Sequence, residues 1–156
     1  MDNIPTLIRR VTIMQGVPGS GKSTWVSKNR PEATICSADH FFIGEDGVYR
    51  FDPTKLNQAH GECFKKFINA CFYAEVKDVV VDNTNINPVD VAPYMAFALA
   101  YEFEVQIIWV QELPQVAAAR CLHGVPAASI ERMHRDLKNW NGPKRWKRVV
   151  AMPTKG

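Results

Sequence analysis

The stretch Gly16-Val17-Pro18-Gly19-Ser20-Gly21-Lys22-Ser23-Thr24 satisfies the pattern G-x-x-x-x-G-K-[ST] at every fixed position. The chemistry it suits is phosphate binding. Glycines let a short loop take backbone angles closed to other residues and turn several N–H groups inward. Those donors, with the positive end of a following helix, attract a polyphosphate. Lys22 is the candidate to reach the β- and γ-phosphates, and Ser23 the candidate to hold Mg²⁺. Gly16, Pro18, Gly19, Ser20, Gly21, Lys22, Ser23 and Thr24 are the expected nucleotide-binding set.

Asp82 closes the apolar run Val79-Val80-Val81, as a Walker-B aspartate does, and is expected to bind Mg²⁺ directly or through water. A capping aspartate at a strand end is the plainer alternative. Asn83 follows it, where ATPases that split water usually carry a glutamate, and the Asn-Lys-x-Asp signature of guanine-specific switches does not occur. Transfer to a hydroxyl acceptor therefore outranks hydrolysis or switching. Asp39 is the candidate general base: a carboxylate that faces the γ-phosphate without binding it can take the proton of an attacking hydroxyl. Its alternative is a local turn cap. His40 beside it is a second polar group of the pocket or a surface histidine. Arg120 precedes the break Gly124-Val125-Pro126, and from a lid it would neutralise transition-state charge; a solvated arginine is the competing reading. In the tail, Lys144, Arg145, Lys147 and Arg148 surround Trp146, with Trp140 nearby. Cations with interleaved rings suit a nucleic-acid strand; a last element packing its tryptophan on the core is the alternative.

The elements that position these groups are legible in outline. Val11-Thr12-Ile13-Met14 reads as a buried strand, and Ser23 to Arg30, stopping at Pro31, as a helix. A second strand, Thr34 to Ser37, ends at Asp39. Asp52-Pro53 reads as a cap with proline in the first helical position, opening a helix whose wide apolar face carries Leu56, Cys63, Phe64, Phe67, Ile68, Cys71 and Phe72. A third strand ends at Asp82-Asn83-Thr84-Asn85. Asn87-Pro88 opens a helix to about Ala100, with Pro93 an expected kink. Val105 to Val110 is the fourth strand. Helices follow over about Pro114–His123 and Ala128–Trp140. Strands that are continuous apolar runs alternating with helices predict an α/β fold with a parallel sheet covered on both faces. Ligands in such sheets bind beyond the carboxyl ends of the strands, which gathers Gly16–Thr24, Asp39 and Asp82–Asn85 at one edge.

Composition is consistent with this. The chain's 156 residues, 46% apolar and 10% aromatic, suffice for a core and predict a single domain. A net charge of +3 permits an anionic partner without requiring one. Cys36, Cys63, Cys71 and Cys121 show no C-x-x-C spacing, which argues against a zinc site and for buried thiols in a reducing cytoplasm. Met1 to Arg10 lacks the apolar core of a signal peptide, and no apolar run reaches a membrane span. No obligatory protein partner is visible.

Gly16 to Trp25 and Asp82-Asn83-Thr84-Asn85-Ile86-Asn87-Pro88 resemble the phosphate loop and Thr-Asn segment of the polynucleotide 5′-hydroxyl kinases, the kinase half of the bacteriophage end-healing enzyme. Ser37-Ala38-Asp39-His40-Phe41-Phe42 and Arg120-Cys121-Leu122-His123-Gly124, taken with Asp82 to Asn85, are closer still to the kinase-like domain of the NEDD4-binding protein 2 group. The resemblance implies a P-loop NTPase core of the nucleotide-kinase type, three layers α/β/α with a small helical lid. It implies ATP as donor, Mg²⁺, and an acceptor hydroxyl on nucleic acid, DNA before RNA. It assigns catalysis to Asp39, Lys22 and Arg120, metal binding to Ser23 and Asp82, and the acceptor's surroundings to Asp39, His40, Phe42, Thr84 and Asn85. The departures fall on the acceptor side. His40 stands where the viral kinase has a second aspartate, and Phe42 where it has an acceptor-binding arginine. A 5′ end or the hydroxymethyl group of a modified pyrimidine in DNA, as for related small viral kinases, are the expected acceptors. A small-molecule kinase and a non-catalytic ATP-binding adaptor are the alternatives.

Overall fold

Strands that are apolar on both faces need cover on both faces, and these receive it. The computed structural model of the chain describes residues 8–73 and 75–153. Most of the N-terminal stretch Met1 to Arg10 lies outside the described residues. Strands β1 (Arg10–Gln15), β2 (Thr34–Cys36), β3 (Asp78–Asp82), β4 (Glu104–Val110) and β5 (Arg148–Ala151) form one parallel sheet in the order β2-β3-β1-β4-β5. The helices are α1 (Lys22–Asn29), α2 (Leu56–Phe72), α3 (Pro88–Ala100), α4 (Pro114–Arg120) and α5 (Ala127–Lys138).

Side-chain alternation along the strands divides the core. Val11, Ile13, Val79, Val81 and Ile107 pack with Cys63, Phe67 and Cys71 of α2 and with Val91, Tyr94 and Met95 of α3. Met14, Val80, Ile108 and Val110 pack instead with Val26 and Trp25 of α1. A third cluster joins Val17 of the phosphate loop to Trp109, Ala117 of α4 and Ile130 and Leu137 of α5, so the lid helices rest directly on the loop.

Local signals account for most boundaries. The Asp52 carboxylate accepts from the Thr54 N–H at 2.9 Å and opens a 3-10 turn at Pro53–Lys55 that leads into α2. The Asn87 N–H donates to Asp90 Oδ2 at 3.2 Å at the start of α3. Pro93 is accommodated within α3, which runs on uninterrupted. Its missing N–H would have served the carbonyl of Val89, an exposed residue. Both lid helices are shorter than the expected Pro114–His123 and Ala128–Trp140: α4 ends at Arg120 and α5 at Lys138.

In the tail, Arg148 follows the packing alternative rather than that of a phosphate contact. Arg148 is not offered to solvent but heads β5, and its guanidinium lies 4.6 Å from the Trp109 ring centroid and 5.0 Å from that of Trp140. Its Nε donates to Gln15 Oε1 at 2.8 Å and its Nη2 to the Leu137 carbonyl at 2.9 Å. Arg148 therefore ties the sheet edge to α5. Trp140 and Trp146 pack partly against the main core.

Candidate active site

The order of the sheet brings the three polar strand ends together. β1 lies between β3 and β4 and releases the phosphate loop, and β3 and β2, next in line, release Asp82 and Asp39. Gly21 caps α1 at φ +96° with no side-chain acceptor, and no acidic residue follows in the first turn. The first N–H groups of α1 are thus left for an external anion. Ser20 Oγ is buried in the same loop with no hydrogen-bond partner among the described residues.

Gly19 is fixed by both backbone and space. It sits at φ +82°, and a Cβ there would come 2.2 Å from the Ala117 carbonyl oxygen of α4. Gly19→Ala is expected to push α4 off the loop, lowering stability by about 1–3 kcal/mol and weakening nucleotide binding. Thermal melting with and without ATP measures both, and an unchanged nucleotide-induced shift contradicts the expectation.

Lys22 Nζ donates to the Gly16 carbonyl at 3.0 Å and the Val17 carbonyl at 3.1 Å, so the ammonium is held inside its own loop. Burial lowers its pKa, while Asp82, then Asp39, then Cys121 oppose that shift. Both carboxylates therefore act on one cation. Ser23 Oγ donates to Asp82 Oδ2 at 2.9 Å. A hydroxyl and a carboxylate side by side and open to solvent are hard oxygen donors of the kind Mg²⁺ takes from a protein while keeping water and phosphate as its other ligands. These residues fit the cation.

Asp39 stands in a 3-10 turn, Ala38–Phe42, directly after β2. The turn is pinned twice. Ser37 Oγ accepts from the Asp39 N–H at 3.2 Å, and Asn83 Oδ1, from the end of β3, accepts from the Ala38 N–H at 2.9 Å. Tyr49 reaches in from the following loop, its Oη donating to Asp39 Oδ1 at 3.3 Å. Burial, reinforced by Asp39, pushes the Tyr49 phenol up to about 12, so it remains a donor at neutral pH. The Tyr49 ring lies 4.4 Å from that of His123, which joins the β2 side of the cleft to the turn after α4. His40 is exposed at the same turn; burial of its ring and then Lys66 lower its pKa, against Asp82 and Asp39.

Two acceptor-side expectations are overturned by geometry. Phe42 is 5% exposed, with its ring 5.0 Å from Phe51 and 5.2 Å from Phe41, because the 3-10 turn rotates it into the core. Asn85 is buried in the left-handed region at φ +47°. Its Nδ2 donates to the Met14 carbonyl at 2.8 Å, and Gln15 Nε2 donates to the Asn85 carbonyl at 2.9 Å. Asn85 is a strut between β3 and β1. Asn85→Ala is expected to cost about 1–3 kcal/mol, the penalty of an orphaned buried acceptor, as read from the denaturant midpoint; a smaller change removes the strut assignment. Thr84 is half-buried, and its carbonyl accepts from the Gly16 N–H at 3.2 Å, so it borders the loop. Arg120 Nη1 donates to Glu112 Oε2 at 3.0 Å, and Glu112 Oε1 accepts from the Leu113 N–H at 2.8 Å. Arg120 is thus held at the base of α4.

Tyr49, Asn83, Gln15 and Glu112 were not singled out as site residues by sequence reasoning. Asn83 lies within the Asp82–Asn85 segment, where the position of the site was legible but not the partner across the sheet.

A donor-lined loop between a parallel strand and a helix, with Lys22, Ser23 and Asp82 converging on it, defines a P-loop nucleotide-binding domain with a kinase-like fold. The chain belongs to the AAA_33 family of AAA domains, whose match spans residues 11–138. It is 30% identical over 130 residues to human (Homo sapiens) NEDD4-binding protein 2, a match covering 79% of this chain and 7% of that protein's length. Among solved structures it is similar to a chain of the Pnkp1/Rnl/Hen1 RNA repair complex (18% identity, TM-score 0.69, 88% of this chain and 46% of that one). It is also similar to a gluconokinase from Sinorhizobium meliloti 1021 (12% identity, TM-score 0.58, 96% and 85%). These structural likenesses concern the fold. Among the described residues, no helix is long and apolar enough to cross a membrane.

Proposed function

We propose that the chain is a single-domain kinase that transfers the γ-phosphate of ATP to a hydroxyl on nucleic acid, either a 5′ end or a hydroxymethylated base. The observation that carries this reading is the division between its two carboxylates. Asp82 is engaged by Ser23, the metal side of the site, whereas the exposed Asp39 carboxylate accepts from Tyr49 Oη. Two carboxylates beside one phosphate-binding lysine, with different partners, suit different tasks.

Asp39 would accept the proton of the incoming hydroxyl as its oxygen forms a bond to the γ-phosphorus. The bond from that phosphorus to the bridging oxygen breaks, and ADP leaves. Lys22 and the N–H groups of Gly19 to Ser23 would hold the phosphates in line and offset their charge. Ser23 and Asp82 would hold Mg²⁺, which would supply further neutralisation of the phosphate charge. Arg120 would serve the same end after exchanging Glu112 for phosphate. His40 and Thr84 remain the nearest candidates for acceptor contacts, and Phe42 and Asn85 are withdrawn from that role.

Support for a nucleic-acid acceptor comes from the motif resemblance and from the named RNA repair complex among the similar folds. The gluconokinase likeness keeps a small-metabolite acceptor as a second reading. Labelled γ-phosphate transfer across 5′-hydroxyl DNA, 5′-hydroxyl RNA, DNA with hydroxymethyl bases, free nucleosides and gluconate decides between them. Transfer only to the last two removes the nucleic-acid acceptor. Binding of ATP with transfer to none leaves an adaptor.

A further inference from the structure

The described residues enclose a second concave site that the phosphate loop does not use. The segment Pro143–Lys147 leads into β5 and lies against the last turns of α3. Between them is a cavity of about 530 Å³ whose apolar wall is Met95, Leu99, Val105 and Trp146. Lys144, Arg145 and Lys147 complete its lining. All three are exposed, and none makes an ion pair among the described residues. The backbone presents them firmly: Trp146 N–H donates to the Pro143 carbonyl at 3.1 Å, and the Lys147 carbonyl accepts from the Ile107 N–H at 2.8 Å.

The cavity lies far from the reacting groups. Val105 pairs with Val11 at the start of β1, whereas the phosphate loop leaves the other end. Five residues of strand separate the two levels, about 16 Å. Asp39 follows β2, three places across the sheet from β4, about 14 Å. The intervening seam is aromatic. The Trp146 and Trp140 rings are 6.5 Å apart, and Trp140 with Asn139 and Ile86 lines a smaller depression, about 250 Å³, at the start of α3. That depression adjoins the segment after Asp82.

Unpaired cations beside an apolar wall and an indole suit a ligand with phosphates on one side and planar rings on the other. An acidic peptide would meet the charges but not the wall. We infer that this seam binds single-stranded nucleic acid and holds the acceptor strand several nucleotides away from its reacting end. The binding site stands on its own geometry; its link to catalysis rests on the proposed function.

The test is anisotropy of a labelled single strand of about 16 nucleotides on the full chain, over a series of salt concentrations. Replacing Lys144, Arg145 and Lys147 together by Gln is expected to weaken binding at least tenfold. It should also reduce the slope of log K against log salt by about 2, three contacts at about 0.7 each. Leu99→Glu, on the exposed wall, is expected to weaken binding without changing the melting temperature. Wild-type affinity and slope in both variants would overturn the site, as would equally tight binding of a glutamate-rich peptide. In transfer assays the triple variant should raise KM for the long strand and leave a dinucleotide's unchanged; equal KM changes for both overturn the link to catalysis. A wild-type chain that phosphorylates neither DNA nor RNA removes the proposed function, and the binding series then decides the seam alone.

Discussion

Asp39→Asn is expected to leave ATP affinity unchanged and to cut phosphoryl transfer by about 10²- to 10⁴-fold, the range for loss of a general base. The substitution keeps the shape of the side chain and its capacity to accept from Tyr49 Oη, whose 3.3 Å bond would survive. It removes the basicity and one of the two anions acting on Lys22. Asp82, the other anion, still bonds Ser23, so the donor side of the site stays intact. Isothermal titration with a non-hydrolysable ATP analogue, alongside single-turnover transfer, separates the two effects. Substantial residual transfer excludes Asp39 as the base.

Lys22→Ala is expected to weaken ATP binding about 10- to 100-fold, corresponding to the 1.5–3 kcal/mol of a hydrogen bond to a charged group, and to abolish measurable transfer. In the free loop the ammonium is satisfied by the Gly16 and Val17 carbonyls, so binding exchanges two neutral acceptors for phosphate oxygens. A pH dependence follows. Burial lowers the Lys22 pKa in the free loop, and bound phosphate would raise it. Affinity is then level while the free ammonium is charged. It falls as pH rises through the lowered free-loop value, and the fall should vanish in Lys22→Ala. An alkaline limb of equal size in both proteins contradicts this.

What could be read from the chain, and what could not, follows from sequence distance. The phosphate loop, its lysine and serine, and the alternation of apolar strands with helices are local patterns. Asp39 and Asp82 were legible because topology alone sends the ends of parallel strands to one edge. Phe42 is the contrary case: the resemblance aligns it with an acceptor-binding arginine, but here the 3-10 turn uses a phenylalanine to close the core. Asn85 was misplaced for a related reason. Its bond partner Met14 and the donor Gln15 are about 70 positions away, and Gln15 is in turn held by Arg148, 133 positions on. The same remoteness hid Tyr49, whose importance depends on a loop folding back over Asp39, and it hid Arg148, whose charge suggested solvent while two indoles enclose it.

The close approach of Gly19 to the Ala117 carbonyl limits how this domain can open. A cap over the donor is often pictured as swinging from its root, yet here the root is wedged into the cradle through Ala117 and Val17. Any gating must arise further out, where Gly124 sits at φ +69° between α4 and α5 and where His123 meets Tyr49. Parting that tilted pair would free Tyr49 from the turn after α4 while the phosphate loop stays wedged. Entry of the alcohol and retention of the triphosphate would then be governed by separate joints, and the first could open without loosening the second.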